Sequence, residues 1–307
     1  MKKLFIISLA IVASANAFAQ QEPHYTQNQF NSNLLLNPAY AGSDPYNTSI
    51  GARYRNQWVN FNGAPTTYSL IGDTKWNRLG FGLAINQDKI GIERITTPDL
   101  NIAYHLPFKK DRYLSIGFKG GANFLKADFT NLVNVDMTDP LYNAPNNKAT
   151  IPFLGFGALY YSPKFYAGIS SPRIVSFESP VSPRTRISRA HYYAYGGGRI
   201  QLENGLEFRP AVLVKYQAQA PIELDLAVDA WYKNMLGFGV GYRTGDAVNL
   251  MVKSNINKRV YVGYSYDMNI SVLRPFNAGS HEVFLGIKFP KKQEADDEDR
   301  SNSLRYF

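Results

Sequence analysis

Apolar and polar residues alternate with a period of two through most of the chain. In LGFGLAIN, residues 79–86, the four large apolar residues share one side, and the glycine, alanine and asparagine residues share the other. Segments 222–233 and 236–243 repeat this pattern. Because successive side chains of a strand point to opposite faces, each segment predicts a β-strand with one apolar face and one small or polar face.

We predict about fourteen such strands, an even number typical of single-chain bacterial barrels. Their predicted bounds are 48–58, 66–76, 79–88, 93–107, 112–126, 152–162, 164–171, 189–203, 206–219, 222–233, 235–244, 247–257, 259–270 and 280–289. Every second connection is tight, as at 77–78 and at Asn204-Gly205, and the others include the long stretches 127–151 and 172–188. Outer-membrane barrels have short periplasmic turns and longer extracellular loops, so this alternation predicts that both chain ends are periplasmic.

The composition also favours an all-β transmembrane antiparallel barrel, which we place at residues 48–290. Aromatic residues make up 14% of the chain, glycine occurs 24 times, and charged residues, at 19%, fall below the ~25% of typical soluble domains. A soluble β-sandwich is the alternative for strands that alternate in this way, but it would leave exposed edges. In lipid, closure is enforced because every backbone polar group must be paired. Trp58, Trp76, Phe108, Phe124 and Trp231 lie near predicted strand ends, as an aromatic girdle requires.

The N-terminus predicts export. Residues 1–19 have the features of a secretory signal peptide, with Lys2 and Lys3 before an apolar run and Ala17-Phe18-Ala19 as the cleavage site. That run is shorter than the ~20 residues of a spanning helix. The net charge of +9 indicates a polar lumen or an anionic lipid surface rather than nucleic acid. The chain has no cysteine, which excludes thiol catalysis and cysteine metal sites.

If the apolar faces meet lipid, the polar faces line the lumen. The predicted lumenal charge cluster consists of Arg53, Arg55, Arg209, Lys215, Glu223, Asp225 and Asp229. Arg209 and Lys215 precede the three carboxylates along a predicted hairpin, so we expect ion pairs across it. We favour a self-neutralising wall, and a charged conduction path is the alternative.

Signals of catalysis are weak. The four histidines, His24, His105, His191 and His281, lack metal-ligand spacing, and no GxSxG motif occurs. Asp225 and Asp229 share a strand face, and His105 and His191 point to the polar side, but cross-strand register cannot be read from one sequence. We predict neither an enzyme nor a cofactor or metal site, and a barrel enzyme is a rival hypothesis. Residues 291–307 predict a charged periplasmic tail with five acids within 294–299, either solubilising or docking to a periplasmic partner.

The N-terminal region resembles the PorP/SprF family of the Bacteroidota type IX secretion and gliding motility apparatus. The matching pieces are QEPHYTQ at 21–27, QFN at 29–31, NPAYAGS at 37–43 and the region 52–70, and the resemblance continues to VFLGIKF near the C-terminus. It implies a non-enzymatic outer-membrane protein that helps to export, or anchors at the surface, a secreted adhesin through its C-terminal domain. It also implies periplasmic lipoprotein and ring components as partners. A passive, porin-like diffusion channel is the alternative.

Residues 20–47 precede the first predicted strand. The apolar triplet Leu34–Leu36 cannot stay in water uncovered, so we predict that this periplasmic segment enters or covers the barrel mouth. It is either a packed lead-in to the first strand or a plug that doubles as a partner pad. The candidate partner-binding residues are Gln29, Phe30, Asn31, Leu34, Leu35, Leu36, Asn37, Pro38, Tyr40 and Gly42.

Overall fold

The computed structural model describes residues 33–44, 47–109, 111–128, 148–174, 190–218 and 220–290. Fifteen strands follow a single turn of helix, α1 (Asn33–Leu36), and a 3-10 turn, Pro38–Tyr40. The strands are β1 (Asn47–Asn56), β2 (Thr66–Trp76), β3 (Leu79–Ile90), β4 (Glu93–Lys109), β5 (Arg112–Ala127), β6 (Lys148–Tyr161), β7 (Phe165–Ser171), β8 (His191–Gly198), β9 (Ile200–Gln201), β10 (Leu206–Gln217), β11 (Glu223–Tyr232), β12 (Leu236–Arg243), β13 (Ala247–Asn255), β14 (Val260–Asn269) and β15 (Ser280–Pro290). None of the helices within these ranges has the length and hydrophobicity needed to cross a membrane.

The strands form one closed antiparallel barrel. Each pairs with its neighbours along the chain, and β1 closes the sheet on β15 from Asn47 opposite Pro290 to Asn56 opposite His281. β8 and β9 both pair with β10 and are separated only at Arg199, so together they form one wall strand. The barrel therefore has fourteen wall strands, and the predicted all-β class and strand number are confirmed.

Turns and loops are divided between the two ends of the barrel. At one end, which we call the turn end, strands are joined by two to four residues. β1 begins at this end and β15 ends there. At Asn204-Gly205, φ angles of 62° and 76° give the left-handed pair that a tight hairpin turn requires. The opposite end, the loop end, carries the connections 57–65, 128–147, 172–190 and 270–279 as well as shorter ones.

The two faces of the wall differ as the alternation predicts. On β12, Leu236, Phe238, Val240 and Tyr242 point outward and are exposed, whereas the intervening glycines and Arg243 are buried inside. The same holds around the sheet, where large aliphatic and aromatic residues cover the outside and buried polar residues cover the inside. This distribution is the reverse of a water-soluble protein and suits a barrel in lipid.

The predicted girdle position of Trp231 is wrong. The Trp231 side chain is 1% exposed and points into the lumen, where the Arg209 guanidinium lies 4.5 Å from the ring centroid. Alternation requires this orientation, because Trp231 shares its face with Asp229 two residues earlier. Gly237 on β12 leaves room for the indole, since a Cβ there would lie 2.6 Å from the ring. Trp76, by contrast, is 67% exposed near the end of β2.

One stretch of the wall pairs on a single side. At the loop end, residues 148–155 of β6 pair with β5, but β7 reaches β6 only from Phe156 opposite Ser171. Within the described chain, the one backbone hydrogen bond to this open edge runs from Ile174 N to Leu154 O, at 2.8 Å. Pro152 has the same parity as Leu154 and so directs its nitrogen, which lacks a hydrogen, to the open edge. Proline within sheets is largely confined to such edges.

After Ser171 the described residues 172–174 turn into the lumen, and of these only Ile174 bonds to the backbone of this edge. Pro172 packs on Gly155, where a Cβ would lie 2.3 Å from the Pro172 oxygen. The Arg173 guanidinium lies 5.4 Å from the centre of the inward Phe153 ring. The described part of the β7–β8 connection therefore packs inside the barrel rather than extending its wall.

Candidate functional site

Residues 33–44, which we call the lumenal segment, form two short turns separated by Asn37. The Asn37 side chain accepts a hydrogen bond from Ala39 N at 2.8 Å, which caps the 3-10 turn. Pro38 is the first residue of that turn, where its missing N–H costs nothing. Gly42 then reverses the chain with a φ of +66°, a conformation that favours glycine. The Asn-Pro and Gly positions thus determine the local shape of this segment.

The lumenal segment lies inside the barrel at the turn end, against β2 to β8. Leu34, Leu35 and Leu36 are only 3–5% exposed. They join a buried apolar cluster whose wall members include Ile71, Ala84, Ala103, Leu159, Tyr193 and Leu213. The three leucines therefore find an apolar patch within an otherwise polar lumen, and burial of each contributes about 1.5–3 kcal/mol.

The backbone of the lumenal segment is hydrogen-bonded to side chains of the wall at five positions between Leu35 and Gly42. The bonds link Lys119 Nζ to Leu35 O (3.2 Å), Ser170 Oγ to Leu36 O (2.7 Å), Ser115 Oγ to Ala39 O (2.8 Å), His105 Nε2 to Ala41 O (2.8 Å) and Asp73 Oδ2 to Gly42 N (2.8 Å). The two turns pair only part of the backbone of the segment. For the remaining polar groups, these side chains replace the water that is lost on burial.

Asn37 makes the most contacts with the wall. Its Nδ2 lies 3.1 Å from Ala158 O, 3.2 Å from Ile169 O and 2.6 Å from Tyr195 Oη. One amide group therefore bridges β6, β7 and β8, and the Asn37 residue is fully buried.

Three glycines of the wall make room for the segment. A Cβ at Gly80 would lie 1.8 Å from Ala41 O, one at Gly117 would lie 2.3 Å from Ala39 N, and one at Gly157 would lie 2.1 Å from Asn37 Oδ1. All three distances are too short for any real contact. The backbone of the segment thus rests directly on the backbone of β3 and β5, and the Asn37 side chain rests on the backbone of β6.

Tyr40 packs among other tyrosines in the same cluster. Its ring stacks on Tyr195 with 5.8 Å between centroids. Burial, and to a lesser degree the neighbouring Tyr195 and Tyr166, raises the pKa of Tyr40 well above its ordinary value. The hydroxyl therefore stays neutral, because burial disfavours the charged phenolate.

The predicted pad residues are therefore buried in the chain itself where the structure describes them. Leu34, Leu35, Leu36, Asn37, Pro38, Tyr40 and Gly42 all contact the inner wall, and Gln29, Phe30 and Asn31 lie outside the described residues. A partner reaches the described ones only if the segment leaves the lumen. This geometry is that of an internal plug.

A network of charges occupies the loop end of the lumen. Its ion pairs are Arg55–Asp267 (2.6 Å), Arg55–Glu282 (3.1 Å), Arg243–Asp225 (3.0 Å), Arg243–Asp246 (3.0 Å), Arg243–Asp267 (3.6 Å) and Lys215–Asp225 (3.2 Å), with Lys215 also paired to Glu223. The network links β10, β11, β12, β14, β15 and β1. Because each of these charges faces an opposite one, the ion pairs crosslink this part of the wall.

The predicted cluster residues lie in this network or close to the turn end. Lys215 pairs across the hairpin with Glu223 and Asp225, as expected, whereas Arg209 is bonded to Glu207 on its own strand. Asp229 pairs with Lys253 at 2.7 Å. Arg53 lies 4.0 Å from Glu282.

Asp267, Glu282 and Lys253 also belong to these ion pairs, although they are not members of the predicted cluster. All three occupy inward positions of strands in which apolar and polar residues alternate. The alternation alone therefore predicts that their side chains point into the lumen.

Of the residues considered for catalysis, His105 lies at the turn end, away from the loop-end network that holds Asp225. His105 is held between Ala41 O and the Tyr161 hydroxyl, both at 2.8 Å, at the turn end. Asp225 and Asp229 are each engaged by cations on other strands. The described residues contain no group of histidine and acidic side chains arranged for a metal ion. His105 therefore acts as a support for the lumenal segment.

Solved structures of similar fold are outer-membrane barrels. The Ralstonia pickettii toluene transporter TbuX superposes with a TM-score of 0.53 at 10% identity, over 85% of this chain and 93% of that one. The Acinetobacter baumannii outer membrane protein Omp33 superposes with a TM-score of 0.47 at 11% identity, over 81% of this chain and 100% of that one. At such identities only the shared barrel fold follows. A comparison with curated proteins finds no match.

The family model described as "Type IX secretion system membrane protein PorP/SprF" matches residues 17–287, which include all but the last three residues of the barrel. The chain also has the closed fourteen-strand architecture of an outer-membrane protein. It belongs to the PorP/SprF family of type IX secretion system membrane proteins.

Proposed function

We propose that this protein is a non-enzymatic outer-membrane holder, which helps to export a secreted adhesin or anchors it at the cell surface through the adhesin's C-terminal domain. The observation that carries the proposal is the position of the lumenal segment. The chain belongs to a family of secretion components, and part of the chain itself occupies the interior of its barrel. A barrel whose lumen is occupied by buried leucines and ion-paired charges suits a holder better than a conduit for solutes.

We infer the orientation of the barrel in the membrane from the difference between its two ends. In this proposal the turn end, with both strand termini, faces the periplasm and contacts lipoprotein or ring components of the secretion system. The loop end faces the exterior and holds the secreted protein. The signal peptide at 1–19 and the charged tail at 291–307 are parts of the same proposal.

The open edge of β6 supports the loop end as the contact with cargo. Among the described residues, 148–153 of β6 lack a strand partner on one side. An extended segment of a binding partner can pair with this edge as an added strand. Thr150 lies on this edge and is exposed. Backbone groups without hydrogen-bond partners near lipid are unfavourable in free energy. A partner strand that pairs with this edge would form the missing hydrogen bonds and would be stabilised by them.

Site-specific photo-crosslinking tests this proposal with a matched pair of positions. Thr150 on β6 and Thr96 on β4 both lie opposite Phe124 of β5 and therefore have the same height, but Thr96 is on a strand paired on both sides. A photoreactive residue at Thr150 should crosslink to a secreted protein within its C-terminal domain, and one at Thr96 should not. Equal crosslinking at both positions, or none at either, would contradict contact along this edge.

Conductance separates the holder from the porin-like alternative. Purified full-length protein in planar bilayers should show no large, stable openings. Such openings in the wild-type protein would instead favour a passive diffusion channel and overturn the holder, whatever the crosslinking shows.

A further inference from the structure

A basic cleft lies at the turn end, between the β11–β12 turn and the β13–β14 turn. It has a volume of 350 Å³, and its lining includes Lys233, Lys258, Arg259 and Lys288. We call it the basic cleft. Among its described lining residues none is acidic, and the others include Asn234 and Tyr261. Four cations thus meet in one place.

The cleft is shaped by the two turns themselves. Asn255 Nδ2 donates to Asn234 O at 2.7 Å and so ties the turns together. Asn257 Oδ1 accepts from the backbone N–H groups of Arg259 and Val260, both at 2.8 Å, which shapes the second turn.

Lys288 forms the inner wall of the cleft. Its backbone N–H donates to Arg259 O at 2.7 Å, and its ammonium lies 5.4 Å from the centre of the Tyr261 ring. The positions of the cations are therefore determined by the barrel and its turns rather than by a ligand.

The chemistry of the cleft selects a ligand with several negative charges. Lys233, Lys258 and Arg259 are exposed, whereas Lys288 is 5% exposed. A single exposed ion pair contributes little because water and salt screen it, so specific binding requires several charges at once. A flexible run of carboxylates satisfies this condition, and its length can match the two adjacent turns.

We infer that the acidic run at residues 294–299 of the same chain binds in the basic cleft. The run contains Glu294, Asp296, Asp297, Glu298 and Asp299 and begins four residues after Pro290, the last residue of β15. Lys288 belongs to that same strand, and β14, which follows the Lys258–Arg259 turn, is the neighbour of β15.

The distances permit this contact. At about 3.5 Å per extended residue, the run begins within about 14 Å of the end of β15 and extends about 20 Å further. Neighbouring strands are about 4.8 Å apart, so the β13–β14 turn lies within about 10 Å of β15 and the β11–β12 turn within about 20 Å. The run therefore reaches both turns without crossing the barrel mouth.

This inference does not depend on the proposed function, because the ligand is part of the chain itself. Its consequence concerns partners at the turn end: an acidic segment of a periplasmic protein would have to displace residues 294–299 before it could occupy the cleft. The tail would then act as a built-in competitor.

Carbodiimide crosslinking of the full-length protein in a zwitterionic detergent tests the contact, because this reagent joins only carboxylates and amines that touch. Peptides containing 294–299 should be linked to Lys233 or Lys258. Lys164 is the control, since it lies at the turn end but on the opposite side of the barrel, in the β6–β7 connection. Crosslinks should fall at least about fivefold in 0.5 M NaCl, where the screening length is about 4 Å.

Trypsin accessibility gives an independent measurement with a matched variant. Changing the five acids to Gln or Asn should accelerate cleavage after Lys258 and Arg259 several-fold and leave cleavage after Lys164 unchanged. Crosslinks spread equally over Lys164, Lys233 and Lys258, or an unchanged cleavage rate in the variant, would overturn the inference. So would protection that appears only in vesicles containing phosphatidylglycerol, because it would assign the cleft to lipid phosphate.

Discussion

Asn37 and Tyr195 form a hydrogen bond of 2.6 Å that connects the lumenal segment to β8 across 158 positions of sequence. The same amide nitrogen reaches two carbonyl groups on β6 and β7. A single polar side chain thus anchors an otherwise apolar segment to three strands of the wall. This contact explains why an asparagine follows three buried leucines.

We expect Asn37→Ala to destabilise the folded barrel. The substitution removes the cap of the 3-10 turn and leaves buried groups on three strands without their partner, at a cost of about 2–3 kcal/mol. Denaturant unfolding in detergent micelles measures the effect. Asn62→Ala is the control. Asn62 lies in the 57–65 loop and is exposed, so this substitution should change stability by less than about 0.5 kcal/mol. Equal stability of the two variants would show that the segment is not held by Asn37.

A methyl group at Gly117 should push the lumenal segment away from the wall. Gly117→Ala places a Cβ 2.3 Å from Ala39 N, and relieving that overlap should cost about 1–3 kcal/mol. Planar-bilayer recordings should show openings in this variant that the wild-type protein lacks. Gly120→Ala on the same strand is the matched control, because its Cβ points outward and would meet only Leu154 at an ordinary 3.7 Å. Recordings without openings for both variants would argue that the lumenal segment is not the barrier to ion conduction.

Asp267 should be the most sensitive acid of the loop-end network. Asp267→Asn leaves Arg55 and Arg243, both buried, with one fewer carboxylate, and we expect a loss of about 3–5 kcal/mol. Asp246→Asn also removes a partner of Arg243, but Asp246 is 20% exposed, so water compensates and the loss should stay below about 1 kcal/mol. Urea unfolding of both variants provides the comparison, and similar losses would show that burial does not govern this network.

Depth within the membrane should determine the cost of a charge on the outer face. Ile102 and Phe108 both point outward on β4 and are 51% and 69% exposed, but Phe108 lies at its turn-end boundary. Ile102→Arg should cost about 2–4 kcal/mol in lipid vesicles, and Phe108→Arg about 0–1 kcal/mol. Stability that is unchanged in both variants would contradict an outer face in contact with hydrocarbon.

The alternation of residues was sufficient to predict most of the wall. Strand bounds agree within one or two residues at most positions, and β2 was predicted without error. The largest difference is at β6, which begins at Lys148 rather than at residue 152, because Pro152 interrupts the apparent pattern but is tolerated at an open edge. Trp231 differs from its prediction because parity along the strand, and not proximity to a strand end, determines which face a side chain occupies.

The sequence by itself determined which side chains face lipid and which face the lumen, because parity along a strand is a local property of the backbone. It also required a cover for Leu34–Leu36, since three adjacent leucines cannot remain in water. Only the tertiary structure decided that this cover is the inner wall of the same barrel, and that Arg55 meets Asp267 while Arg209 meets Trp231 and Glu207. These relationships depend on register between strands that are distant along the chain. Register is set by the closure of the whole sheet, and no single segment contains that information.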